Sequence, residues 1–209
     1  GTTTVTYTAT DAAGNVSTCS FTVTVTDTED PVVAGCPANI TTNTAAGTCG
    51  APTTWVAPTF TDNCSGVLVP TVTSSPTAGL TSGDVFPIGT TTVTYTATDA
   101  AGNTEVCSFT VTVTDNIDPV VAGCPADITV STSPNQCNAI ATWTAPTFTD
   151  NCPAGLTVTS THTSGSVFPI GTTTVTYTAT DAAGNVETCT FDVTVEDNQN
   201  PAIAGCPAN

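Results

Sequence analysis

Ten cysteines, seventeen carboxylates and one histidine are the side chains through which this 209-residue chain could bind a metal, move a proton or form a covalent bond. Eight cysteines fall into two sets of four, Cys36, Cys49, Cys64, Cys107 and Cys124, Cys137, Cys152, Cys189. Cys19 and Cys206 lie outside them. The first two gaps are the same in both sets and only the third differs. No C-x-x-C occurs and no histidine recurs, so this is not the spacing of a zinc site. An even count per small unit predicts structural disulfides and an oxidising compartment. Four cysteines allow three connectivities, and spacing alone does not choose among them.

The acids sit in turns and in Pro-containing linkers: Asp27-Thr-Glu29-Asp30-Pro31, Asp115-Asn-Ile-Asp118-Pro119 and Glu196-Asp197-Asn-Gln-Asn200-Pro201. If the fold gathers linkers and turns at one pole, Asp27, Asp30, Asp62, Asp99, Asp115, Asp118, Asp150 and Asp181 are candidate calcium ligands between successive domains. The competing reading is that these residues cap turns through their own backbone. Calcium is the one candidate cofactor, and nothing in the sequence requires it. His162 has Pro76 as its counterpart in the other copy, and no oriented partner or nucleophile accompanies it, so an enzyme is not expected. Asn15, Asn39 and Asn63 open N-x-S/T sequons, and the equivalent positions elsewhere lose the pattern. Outward Thr rows are a second glycan candidate.

The chain has no Lys and no Arg, and its formal net charge is -17. Nucleic-acid phosphate and anionic membranes are therefore not expected partners. Lysine-based isopeptide and Schiff-base chemistry are excluded. No run of 18 apolar residues exists to insert in a membrane. A secretion signal is expected outside this sequence.

The elements that must position these residues repeat. GTTTVTYTATDAAGN starts at Gly1, Gly89 and Gly171. Val93, Tyr95 and Ala97 alternate with threonines, as do Phe109, Val111 and Val113. Period-two alternation predicts strands with one buried face, and the Asp99–Asn103 segment between them predicts a hairpin loop. Cys107 shares parity with Phe109 and should point inward. Ile128–Val130 and 139–145 read as further strands, with Trp143 and Trp55 in the core. Phe60, Phe148, Phe86 and Phe168 also read as core. The length difference between copies falls around Pro76 to Ser82, a surface loop. About seven strands in 80-odd residues predict tandem immunoglobulin-like β-sandwiches, an all-β fold with intradomain disulfides. The expected domains are 1–30 (a final hairpin only), 31–118, 119–200, and 201–209 as the start of the next. The apolar face of the first hairpin is expected to be covered by preceding sequence.

Phe-Pro-Ile-Gly-Thr-Thr-Thr-Val-Thr-Tyr-Thr-Ala-Thr-Asp-Ala-Ala-Gly-Asn, then Cys-x-Phe-x-Val-x-Val, Asp-x-x-x-Pro and Cys-Pro-Ala-Asp-Ile resemble the hyalin repeat (HYR) domain over the whole chain. The resemblance implies an immunoglobulin-like, extracellular or cell-surface domain associated with adhesion. It also implies the pairs Cys36–Cys107 and Cys124–Cys189, which would leave Cys49–Cys64 and Cys137–Cys152. The function expected is a segment of a rigid acidic fibre or adhesive stalk made of tandem HYR domains. Its partners would be neighbouring repeats or identical chains in a filament. The alternative is a glycan- or protein-binding adhesion module, or an accessory array of a secreted enzyme.

Overall fold

The structure, a computed structural model, describes residues 1–201. The expected repeat start at 201–209, with Cys206, lies past Pro201 outside the described residues. Among the described residues there are nineteen β-strands and no helix. Thr-rich alternating sequence suits the pleated, half-buried surface of a sheet.

One long hairpin occurs three times, as Thr2–Thr10 with Val16–Thr24, Gly89–Thr98 with Thr104–Thr114, and Gly171–Thr180 with Val186–Glu196. In the first, the register runs from Thr2 opposite Thr24 to Thr10 opposite Val16. The loop that closes each hairpin is built by one aspartate. Asp99 Oδ1 accepts the backbone N–H groups of Ala101, Gly102 and Asn103 at 2.8, 2.7 and 2.9 Å, and Oδ2 accepts the Asn103 side-chain amide at 2.8 Å. Gly102 takes φ 99°, a left-handed conformation that a side chain would strain.

Contacts divide the chain into two compact units. One comprises Gly1–Thr41, Pro52–Phe86 and Thr90–Thr112; the other comprises Thr42–Ala51, Pro87–Gly89 and the chain from Val113 onward. In the second unit a four-stranded sheet has the order Ile128–Ser131, Val186–Glu196, Gly171–Thr180, Thr157–Ser160. The first of these pairs is parallel, with Ile128 opposite Val193, and the others are antiparallel. Two short antiparallel pairs, Val120–Ala122 with Thr147–Thr149 and Asn138–Ile140 with Val167–Pro169, supply the other layer. Ala139, Ala141 and Phe168 of that layer pack with Val175, Tyr177, Cys189, Phe191, Val193 and Val195 of the sheet. This is the immunoglobulin-like sandwich, all-β with one face of each sheet buried. The first copy has the same four-stranded order in Ile40–Asn43, Thr104–Thr114, Gly89–Thr98 and Thr71–Ser75.

Both tryptophans sit half-buried at the core edge. Trp143 meets Phe168 and Phe191 edge-on at 6.0 and 5.2 Å and donates through Nε1 to the Tyr177 hydroxyl at 2.8 Å. Trp55 repeats this against Phe86, Phe109 and Tyr95 in the first unit. Phe60, Phe86 and Phe168 are buried, and each such side chain stabilises the fold by roughly 2–3 kcal/mol.

The strand expected over 139–145 is shorter, Asn138–Ile140. Backbone bonding reaches Ala141, whose N–H donates to the Ser166 carbonyl at 3.3 Å and whose carbonyl accepts the Gly165 N–H at 2.9 Å, and a side chain takes over at Trp143. Ser164 Oγ accepts the Trp143 N–H and donates to the Trp143 carbonyl, both at 2.8 Å, in place of a backbone ladder.

The first hairpin keeps the register but not the burial. Tyr7 is 66% exposed and Phe21 48%, whereas their counterparts Tyr95 and Phe109 are 5% and 3% exposed.

Candidate functional site: a disulfide joint

Three disulfides form among the described residues. Cys36 is bonded to Cys107 and Cys124 to Cys189, each tying an early segment of a repeat to its last strand. The third corrects the expected pairing. Cys49–Cys64 and Cys137–Cys152 do not form; Cys49 is bonded to Cys152 across a sequence separation of 103. Cys19, Cys64 and Cys137 are exposed thiols.

Strand direction explains the correction. Ile128–Ser131 runs parallel to Val186–Glu196, so the loop after it, which carries Cys137, emerges where that strand ends. There the Thr132 N–H donates to the Glu196 carbonyl at 2.9 Å. The Asp150–Cys152 turn lies at the strand's beginning, with Asp115, whose carbonyl accepts the Asn185 amide at 3.3 Å. The 11 residues of Val186–Glu196 separate the two poles by roughly 35 Å. A disulfide tolerates Cα atoms no more than about 7 Å apart. Cys137 and Cys152 therefore cannot meet within one sandwich. The Cys49 loop emerges at the pole where the next Asp-Asn-Cys turn begins, and the Cα atoms of Cys49 and Cys152 are 4.8 Å apart.

Polar groups brace this joint, all within the second unit. Asp115 Oδ1 accepts the Thr44 hydroxyl at 2.9 Å, the Ile117 N–H at 3.2 Å and the Asn151 amide at 3.3 Å. The same amide reaches Thr44 Oγ1 at 3.4 Å and the Thr48 carbonyl at 3.2 Å. Asp150 Oδ2 accepts the Cys152 N–H at 2.7 Å. Asp150 Oδ1 and Asn151 Oδ1 are buried and accept no hydrogen bond.

The candidate calcium ligands separate into groups. Asp115 and Asp150 come together with Cys152, and Asp27 and Asp62 with Cys64, their ligand atoms lying within 4.8 Å of one another in each group. Asp30 and Asp118 join neither. Asp99 and Asp181 spend their carboxylates on their own hairpin loops. Burial works to raise the carboxyls of these two. Bonds from the Asn103 or Asn185 side chain and from loop N–H groups outweigh it and hold both below the usual carboxylate range. The Cys64 thiol is pushed up by its hydrogen bond to Asp27, then by desolvation and the charges of Asp27, Asp62 and Glu29.

Of the sequon residues, Asn15 donates its side-chain amide to Asp11, Asn39 accepts the Thr110 N–H, and Asn63 donates to Glu29. His162 packs at a tilt against Phe168, ring centroids 5.1 Å apart, and has Thr161 Oγ1 as its polar neighbour.

The HYR domain family profile matches residues 1–25, 26–113 and 114–195. The chain belongs to the HYR domain family. It is 39% identical over 211 residues to hyalin of Lytechinus variegatus, covering 99% of this chain and 39% of that protein. It is 40% identical over 172 residues to the mouse sushi, von Willebrand factor type A, EGF and pentraxin domain-containing protein 1, covering 81% of this chain and 5% of that protein. The serine-rich adhesin for platelets of Staphylococcus aureus MRSA252 is 34% identical over 160 residues, 67% of this chain and 11% of that protein. The chain thus spans less than half the length of each. The Cys49 loop lies in the HYR match 26–113 and Cys152 in the match 114–195, so the bond joins successive HYR domains. The recurring Asn before Cys64 and Cys152 is the sequence signal for this joint, since Asn151 bridges both halves.

Proposed function

We propose that the chain is a mechanical segment of an extracellular fibre or adhesive stalk, in which tandem HYR domains transmit tension through disulfides. The observation that carries this reading is where the bonds sit. Cys36–Cys107 and Cys124–Cys189 shunt tension past about 71 and 65 residues of sandwich. Cys49–Cys152 adds a second covalent route across the Asp115–Pro119 linker. Pro119 stiffens that linker by fixing φ. A net charge of -17 keeps neighbouring fibres apart. The names of the relatives, hyalin and a platelet adhesin, support an adhesive, extracellular setting, as do disulfides in so small a domain. Partners in this reading are further HYR repeats of the same array and identical chains within one filament.

Calcium has one place in it, Asp115, Asp150 and Asn151. The buried, unpartnered Asp150 Oδ1 and Asn151 Oδ1 are hard oxygen donors of the kind this ion takes. Bound there, it would stiffen the linker.

Electron microscopy of the native material tests the reading. A beaded thread with one bead per HYR domain is the expected image. Compact particles without linear order would overturn it.

A further inference from the structure

The Cys49–Cys152 joint is made of two halves, and each half occurs once more without its complement. The first half is the loop from Thr44 to Gly50. Its Thr44 N–H donates to the Thr114 carbonyl at 2.9 Å, Ala45 N–H to the Gly50 carbonyl at 3.0 Å, and Thr48 N–H to the Ala45 carbonyl at 3.0 Å. The loop from Thr132 to Asn138 repeats these bonds, as Thr132 to Glu196 at 2.9 Å, Ser133 to Asn138 at 2.8 Å and Gln136 to Ser133 at 3.0 Å. Its Asn135 takes the left-handed conformation of Gly47, φ 59° against 75°. This loop presents Cys137 as an exposed thiol. Gln199 donates to Thr132 Oγ1 at 2.9 Å, occupying the atom whose counterpart, Thr44 Oγ1, takes Asn151.

The second half is the Asp-Asn-Cys turn. Asp62 Oδ2 accepts the Cys64 N–H at 2.8 Å, as Asp150 Oδ2 accepts that of Cys152 at 2.7 Å. Asp27, Asp62 and Cys64 cluster as Asp115, Asp150 and Cys152 do. Asn63, the counterpart of the bridging Asn151, turns aside to Glu29. The exposed Cys64 thiol opens into a cleft lined by Gly1, Val25, Thr26, Asp27 and Ser65.

We propose that Cys64 and Cys137 are the open halves of further joints of the Cys49–Cys152 kind, so that HYR domains of this array are stapled in series, loop cysteine of one to turn cysteine of the next. This rests on the tandem-array reading above. The occupant at Cys64 is the loop of the HYR domain that owns the hairpin Thr2–Thr24. The loop bonds to the end of its own domain's last strand, and this hairpin's apolar face, with Tyr7 and Phe21, awaits the strands of that domain. A second copy of the chain does not supply the loop, because Thr132 is already held by its own Glu196. Closure joins the two sulfurs. The two protons and two electrons pass to a small disulfide such as oxidised glutathione, which leaves as two thiols.

The test uses the full chain extended ahead of Gly1 by a second copy of residues 31–88 in which Cys64→Ser removes the added turn cysteine, so that labelling reports the parent Cys64 alone. Because 89–118 repeat the pattern of 1–30, this completes one domain. The protein is oxidised in a glutathione buffer, blocked with N-ethylmaleimide in denaturant, and mapped by peptic digestion and mass spectrometry. The expected result is a link between Cys64 and the added copy of Cys49, with labelling of Cys64 falling at least about tenfold from the unextended chain. Cys49→Ser in the added copy should restore that labelling while the added Cys36 stays linked to Cys19. Full labelling of Cys64 beside a closed Cys36–Cys19 link, or a Cys64–Cys49 link within one domain, overturns the joint and leaves the array intact. Failure of the Cys36–Cys19 link refutes the array reading instead.

Discussion

Pulling the chain by its ends reads the disulfide network as a length. With all bonds closed, the taut path from Cys36 to Cys189 crosses to Cys107, follows the backbone to Cys124 and crosses again. That leaves about 17 residues of backbone, roughly 60 Å at full extension. Reduction releases about 153 residues, roughly 520 Å. Cys124→Ser separates the pairing schemes. The backbone from Cys107 to Cys189 is then about 82 residues, roughly 280 Å. The Cys49–Cys152 bond offers a shorter path, from Cys36 to Cys49 and from Cys152 to Cys189, about 50 residues or roughly 170 Å. The shorter path goes taut first, so Cys124→Ser is expected to stop at that shorter length and Cys124→Ser/Cys49→Ser to run on to the longer one. A Cys137–Cys152 pair would instead give roughly 230 Å for the single variant. Single-molecule force spectroscopy of the oxidised proteins makes the measurement. A single-variant length matching the Cys137–Cys152 scheme, or one that removal of Cys49 leaves unchanged, would refute the joint.

Three further outcomes follow from the same geometry. Asp99 and Asp181 hold carboxyls lowered in the folded state, so the stability they add is full above the ordinary carboxylate value near 3.9 and is lost as pH falls through their lower folded values. Melting between pH 5 and 2 should therefore steepen downward, and Asp99→Asn/Asp181→Asn should flatten the curve; an unchanged slope contradicts the assignment. Tyr177→Phe removes the acceptor of the half-buried Trp143 Nε1–H and should cost about 1–2 kcal/mol in urea unfolding followed by tryptophan fluorescence. Millimolar calcium should raise the melting temperature, EDTA should reverse the gain, and Asp150→Asn should remove it. No response in the parent chain would eliminate calcium from the linker.

What is legible in the sequence is what short-range chemistry decides. The hairpins are readable because Val93, Tyr95, Ala97 and Phe109, Val111, Val113 alternate strictly, and because Asp and Gly stand where the loop needs an acceptor and a left-handed residue. A strand over 139–145 is too long because alternation cannot reveal that Ser164 replaces the backbone partner of Trp143. The joint is hidden for a different reason. The Cys137–Cys152 pair is expected only as what the pairs implied by the resemblance leave over, and spacing alone neither supports nor opposes it. Their true separation is set by the direction in which Ile128–Ser131 pairs with the last strand, a long-range choice that periodicity does not carry. Once that strand is known to be parallel, the poles of the loop cysteine Cys137 and the turn cysteine Cys152 follow. The loop cysteine lies where the last strand of its domain ends and the turn cysteine where it begins, and in the Cys49–Cys152 bond it is successive HYR domains that bring the two within reach. The same reasoning divides the acids. Asp99 and Asp181 serve the fold of their own hairpins, while Asp115 meets Thr44 of the preceding repeat through its side chain. A residue of one type at one turn spacing thus does either local or interdomain work, according to which pole its strand reaches.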